Sequence, residues 1–186
     1  MAGTMIVKDN IFDKFYMDEL AFDLKFKVKW RADNSASRSY PYNSNQNYLL
    51  MGSTFFKRET MDIIKYGDDM DLNRKLIDSF YHIKNEFKKP DLVLKEISGN
   101  CQFQHMDGKL HTDGSQVGLT SYILMLSPDY DVQDIGGVFY SETDQKEVPF
   151  KHGRVIEIDS FNVHRGEAFN KQHKLRFSIK FTGFIN

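Results

Sequence analysis

His111-Thr-Asp113-Gly114 sets an imidazole and a carboxylate two residues apart. On an extended chain, side chains at that spacing project to one side and can grip a single cation from one strand end. The sequence holds a second copy, His105-Met-Asp107-Gly108, so at least one of the two is not a metal site. A third ligand from a distant strand would complete a face of two imidazoles and one carboxylate. Such a face leaves positions open on an octahedral iron for a chelating molecule and for dioxygen. His164 is the candidate, at the end of the run Val155-Ile-Glu-Ile-Asp-Ser-Phe-Asn-Val-His164. A hairpin centred on Asn170, with Asn170-Lys-Gln-His173 as its turn, predicts that Arg176 lies directly across from His164.

That pairing would give both residues a task. A dicarboxylate that chelates iron through a keto group and its first carboxylate needs its other carboxylate neutralised deeper in the protein, and a planar guanidinium does so bidentately. Arg176 sits in the strand-like run Leu175-Arg-Phe-Ser-Ile-Lys-Phe. Ser178 has the same strand parity and can donate its hydroxyl to the same carboxylate.

The elements that must position these groups fall into two halves. Residues 5–7 read as a strand, and Phe12, Phe15, Leu20 and Leu24 as a helix. Residues 33–47 form a polar Ser-, Asn- and Tyr-rich loop with Arg38, Tyr40 and Tyr42, just after Arg31, and supply the best candidate for a lid over a substrate. An amphipathic helix is predicted over 71–89, ended by Pro90. From there the apolar segments are short and strand-like: 92–104, 119–126, 137–141, 148–151, 154–158, 164–168 and 175–184. Helical support in 1–90 and a strand-built core in 91–186 describe one α+β domain with an antiparallel sandwich or barrel.

Composition narrows the chemistry further. A chain of 186 residues with 40% hydrophobic content can bury one sizeable core. Its net charge of -1 gives no general pull toward nucleic acid or membrane. Cys101 is the only cysteine, which excludes an internal disulfide and a cysteine-built zinc site and points to a reducing, cytoplasmic setting. No basic leader and no apolar run of about 18 residues is evident. Oligomeric state is not legible, and a monomer is the default. His152 and His173 read as exposed turn residues, and Asp159 either orients a group near His164 or simply makes a turn.

Taken together, HTDG at 111–114, the strand at 122–130, Gly136-Gly137, Gly153-Arg-Val, His164-Arg-Gly and Arg176-Phe-Ser178 resemble the prolyl 4-hydroxylase-like branch of the Fe(II)/2-oxoglutarate-dependent oxygenases. The resemblance covers about the last 90 residues. It implies a double-stranded β-helix, or jelly roll, with supporting N-terminal helices. It implies Fe(II), 2-oxoglutarate and O2, with decarboxylation of the oxo acid to succinate coupled to hydroxylation of a peptide or small molecule. It also implies His111, Asp113 and His164 as metal ligands, since the family's metal motif lies just before the strand at 119–126. His105 falls near a family tyrosine and would contact co-substrate or substrate. Met125 stands where many relatives carry a tyrosine on the far carboxylate, and Tyr122 has the wrong parity to replace it. Two other readings remain open: a non-catalytic jelly-roll module that binds a carboxylate, and a cupin-type Zn or Mn enzyme.

Overall fold

A computed structural model describes residues 5–31, 50–60, 63–114, 116–129 and 132–185. The lid candidate at 33–47 lies outside the described residues. The elements run β1 (Ile6–Lys8), α1 (Lys14–Lys27), β2 (Met51–Arg58), β3 (Ile64–Tyr66), α2 (Met70–Glu86), β4 (Val93–Gln102), β5 (Leu119–Leu126), β6 (Phe139–Ser141), β7 (Lys146–Val148), β8 (Val155–Asp159), β9 (His164–Gly166) and β10 (Arg176–Phe184). Seven strands form a sheet in the order β1-β8-β5-β10-β4-β2-β3, and three form another in the order β7-β6-β9. Each pairing within them is antiparallel.

Both helices begin on an aspartate that satisfies free backbone N–H groups. Asp13 accepts from Phe15 N at 2.8 Å, and Asp69 from Leu72 N at 2.8 Å. The apolar stripes of the helices lie on one face of the large sheet: Met17, Leu20 and Leu24, with Leu72, Leu76, Phe80 and Ile83, form one buried cluster with Tyr122, Leu124, Phe177, Ile179 and Phe181. Residues of opposite parity on the same strands face the small sheet, where Ile123, Met125, Phe139, Val148 and Ile156 make a second cluster. Period-two alternation thus divides each central strand between a helix-packed face and an inter-sheet face.

Two expectations change. The strand β2 was not predicted, because a register shift between Thr54 and Phe56 breaks its alternation and buries Phe55 and Phe56 in succession. The hairpin across Asn170 does not form: His164 lies on β9 in the small sheet, whereas Arg176 opens β10 in the large one. The chain after β9 keeps pairing with the stretch leading into β6, through Glu167 N to Val138 O at 2.8 Å, Gly137 N to Ala168 O at 3.0 Å and Asn170 N to Ile135 O at 2.6 Å. Those backbone partners, with Phe169 buried, carry the chain across to the second sheet instead of folding it back.

Phe80 is fully buried, and a Cβ on Gly183 would stand 2.5 Å from Leu92 Cδ2 and 3.2 Å from the Phe80 ring, so a side chain there would displace this packing. Phe80→Ala is expected to lower unfolding free energy by about 3–5 kcal/mol, read from the denaturant midpoint. At the sheet edge, hydrogen bonds from Arg154, against a desolvation cost and with help from Lys151, hold the Asp9 carboxyl down to about 2. A depressed carboxyl stabilises the fold above its unfolded value and ceases to do so as pH falls through the folded one. The stability gap between wild type and Asp9→Asn should therefore shrink as pH drops from about 5 toward 2; a gap independent of pH would show that the pair is not coupled to folding.

Candidate metal centre

His111 and His164 face each other across a short antiparallel bridge, with His111 N donating to His164 O at 3.0 Å and His164 N to His111 O at 2.9 Å. His111, and not Arg176, is therefore the cross-strand neighbour of His164. The ring centroids stand 4.5 Å apart. Asp113, two residues on from His111, turns its carboxylate to the same point, with Oδ1 at 3.9 Å from each Nε2. The three ligand atoms lie within 4.8 Å of one another.

The imidazoles are held in the tautomer a metal requires. His111 Nδ1 is 2.8 Å from Lys109 O, and His164 Nδ1 is 2.9 Å from Asn162 O. A carbonyl only accepts, so each Nδ1 carries the proton and each Nε2 presents a lone pair. Burial pushes His164 below its ordinary value, outweighing Asp113, and keeps it neutral. Phe139 stacks on its ring at 5.2 Å. Burial alone would push the Asp113 carboxyl up; the Lys180 ammonium, donating to Oδ1, is the largest of the influences that outweigh it and hold the group at about 2. Asp113 Oδ2 is buried with no hydrogen-bond partner among the described residues. Two imidazole nitrogens, one ionised carboxylate and an unsatisfied buried oxygen fit a divalent cation of borderline hardness.

Arg176 is the largest fully buried side chain among the described residues. Its Nε donates to Gly137 O at 3.0 Å, and its Nη1 to Gln102 Oε1 at 2.5 Å and to Ser178 Oγ at 3.3 Å. Nη2 has no acceptor among the described residues. Burial lowers the guanidinium to about 10, opposed by Glu167 and Asp107, so it remains cationic at neutral pH. Gly166 makes this position accessible, since a Cβ there would stand 3.2 Å from Nη1. His164 and Arg176 thus approach across the gap between the sheets. Together with His111, Asp113 and Ser178 they line one cavity of about 760 Å³.

Two residues expected near the co-substrate are not brought there. His105 sits exposed in the turn after β4 with φ 68°, and its motif partner Asp107 is engaged with Ala168 N at 2.8 Å. That turn leaves His105 exposed, and although Gly108 N donates to Gly166 O of β9 at 2.8 Å, only the first copy turns an imidazole and a carboxylate to His164. Met125 is fully buried in the apolar inter-sheet cluster and does not line the cavity. Tyr122 faces the helices, as parity predicts. Asp159 caps a turn by accepting from Phe161 N at 2.9 Å. His173 is exposed as expected, but His152 is half-buried between Ser127 N and Asp18, each at 3.2 Å.

Three contributors went unpredicted. Gln102 takes a guanidinium N–H, and nothing in its strand marked it. Asn162 orients His164 through its carbonyl while Ser141 and Asp144 fix its side chain. Lys180 reaches Asp113 Oδ1 at 3.0 Å. It continues the parity of Arg176 and Ser178, a signal that was available.

No family model matches the sequence, and no curated protein matches it. Solved structures do match over nearly the whole chain. A viral collagen prolyl hydroxylase from Paramecium Bursaria Chlorella virus-1, solved with 2OG, aligns at 11% identity with TM-score 0.60, covering 97% of this chain and 96% of that one. A prolyl hydroxylase from Trichoplax adhaerens, in complex with a hypoxia inducible factor peptide fragment, aligns at 12% identity with TM-score 0.68 over 97% and 83%. A Pseudomonas putida prolyl-4-hydroxylase aligns at 10% identity with TM-score 0.61 over 98% and 92%. The chain has the α+β jelly-roll fold of these prolyl hydroxylases.

Asn162→Ala keeps the carbonyl on His164 but removes the side chain through which Ser141 and Asp144 hold it in place, and should weaken divalent-metal binding by about 10–100-fold in a Mn(II) calorimetric titration. Unaltered affinity would show that the carbonyl keeps its position without that anchor.

Proposed function

We propose that this protein is an Fe(II)- and 2-oxoglutarate-dependent dioxygenase, a hydroxylase of the prolyl 4-hydroxylase kind. One observation carries the reading: a fully buried guanidinium with a free Nη2 opens into the same cavity as two Nε2 lone pairs and a carboxylate. Burying an uncompensated cation is costly, and the far carboxylate of a diacid would satisfy it. A cupin-type hydrolase or isomerase has no use for that clamp.

His111, Asp113 and His164 would hold Fe(II), and the open side of the cluster would take the oxo acid and O2. Bound there, iron supplies the redox chemistry that couples decarboxylation of 2-oxoglutarate to hydroxylation. This chain's residues do the positioning. Arg176 and Ser178 fix the far end of the diacid, and Gln102 and Gly137 O hold the guanidinium in its plane. The Lys109 and Asn162 carbonyls hold the proton on each Nδ1 and keep each Nε2 aimed into the cavity. Phe139 and Ile123 keep the floor of the cavity apolar.

The cavity volume lies in the range of small-molecule sites, and the Trichoplax structure holds a peptide, so a small molecule or a single side chain of a peptide fits as substrate. No helix among the described residues is long and apolar enough to cross a membrane. A cytoplasmic monomer completes this reading, with buried Cys101 as its only thiol.

Anaerobic titrations with Fe(II) and 2-oxoglutarate, followed by succinate release on admitting O2, test the proposal. His111→Ala should lose iron and His105→Ala should keep it. Arg176→Ala should keep iron and bind 2-oxoglutarate about 100-fold more weakly, the scale of losing a charge-assisted pair. Tight 2-oxoglutarate binding by wild type with no succinate would favour the non-catalytic carboxylate-binding module. Loss of iron in His105→Ala alone would move the metal site to the other motif.

A further inference from the structure

Even-numbered residues at the start of β10 deliver Arg176, Ser178 and Lys180 to the cavity in a row. Their exposure is graded: the Arg176 side chain is closed to solvent, whereas 28% of the Lys180 side chain is exposed. Among the three ligands, His111 is likewise open at 35%, while Asp113 and His164 are closed at 1% and 4%. Lys180 therefore meets the metal cluster from its open side, opposite the deep end where Arg176 lies.

The Lys180 ammonium has three N–H donors, and Asp113 Oδ1 is its one hydrogen-bond partner among the described residues. Two donors remain for a ligand. On the oxygenase reading, on which this inference rests, the bound assembly also carries surplus charge. Iron contributes two positive charges and Arg176 and Lys180 one each, against one negative charge on Asp113 and two on 2-oxoglutarate. One positive charge is left over beside the open face. The other charged groups at the cavity wall do not cancel it: Lys27, Lys29, Arg31 and Lys57 stand there against Asp68, Asp69 and Glu96, of which Glu96 also acts on Lys180.

We propose that the substrate is an oxyanion, a molecule whose carboxylate or phosphate docks on Lys180 beside the metal. Lysine suits this task better than a second arginine. Its compact charge on a flexible stem can keep one N–H on Asp113 while turning the others to an incoming group. A lysine serving only to brace Asp113 would have no need of an exposed flank on the cavity.

The test uses Mn(II)-loaded protein saturated with 2-oxoglutarate, with benzoate, phenyl phosphate and neutral benzamide as probes. Paramagnetic relaxation of probe protons by Mn(II) reports binding beside the metal. Benzoate or phenyl phosphate should bind at least about 10-fold tighter than benzamide, the scale of one hydrogen bond to a charged group. Whichever binds tighter assigns the group as carboxylate or phosphate. Lys180→Arg should keep the preference, and Lys180→Gln should lose it while binding Mn(II) no more weakly than wild type, since a like charge beside the cation has been removed. Equal binding of anions and benzamide, or an anion preference surviving in Lys180→Gln, overturns the proposal. So does a Mn(II) affinity more than about 10-fold weaker in Lys180→Gln, which would make Lys180 a brace for its ligand. If wild type binds no metal, the oxygenase reading fails separately. The anion preference is then read from the Asp113 amide shift in metal-free protein, and its absence there overturns the inference as well.

Discussion

Two backbone hydrogen bonds between His111 and His164 hold the rest of the site in place. In such a closely bonded antiparallel pair the opposed side chains leave the backbone on the same side, about 5.5 Å apart at Cα. Both imidazoles therefore converge without help from a metal, and Asp113 follows because it is two residues further along an extended segment. The convergence is a property of the main chain, so it is independent of which side chains occupy the ligand positions. The carbonyls of Lys109 and Asn162 then add orientation to position.

That bridge lines the same cavity as the second feature of the site, a fully buried guanidinium. Arg176 starts on the large sheet and reaches toward the small one, where Gly166 leaves room and Gly137 supplies a carbonyl. Two of its donor groups are satisfied by fixed acceptors, which sets the plane of the guanidinium. The remaining one points the unfilled demand for negative charge into the cavity. A group held in this way is prepared for one geometry of ligand, so little ordering remains to be done on binding.

The strand β10 joins these requirements in a single stretch. Phe177, Ile179 and Phe181 lock it against the helices, while Arg176, Ser178 and Lys180 face the cavity. Its two neighbours, β4 and β5, pair with it along most of its length. A register slip of one residue would expose three apolar groups to the cavity and bury two cations among the helices, so packing on one face enforces chemistry on the other.

Much of this was legible in the residues themselves. The amphipathic period of α2, the span of β5, and the pairing of His111 with Asp113 are local properties, and local spacing determines which way such side chains project. The alternation of Arg176 and Ser178 belongs to the same class, and extended by one step it would have revealed Lys180. Partners were a different matter. Whether His164 faces Arg176 or His111 depends on which backbone groups compete for residues 167–170, and the winner, the stretch at 135–138, lies some 30 residues earlier in the chain. The same competition decided between two equivalent His-x-Asp motifs: both bond to β9, but one turns its imidazole and carboxylate to His164, and the other leaves His105 exposed in a turn. Asn162 and Gln102 act through a carbonyl and an amide that any residue pattern could supply. Side-chain direction is set within a few residues of sequence, but convergence is set by long-range hydrogen bonding and burial, which only the folded chain decides.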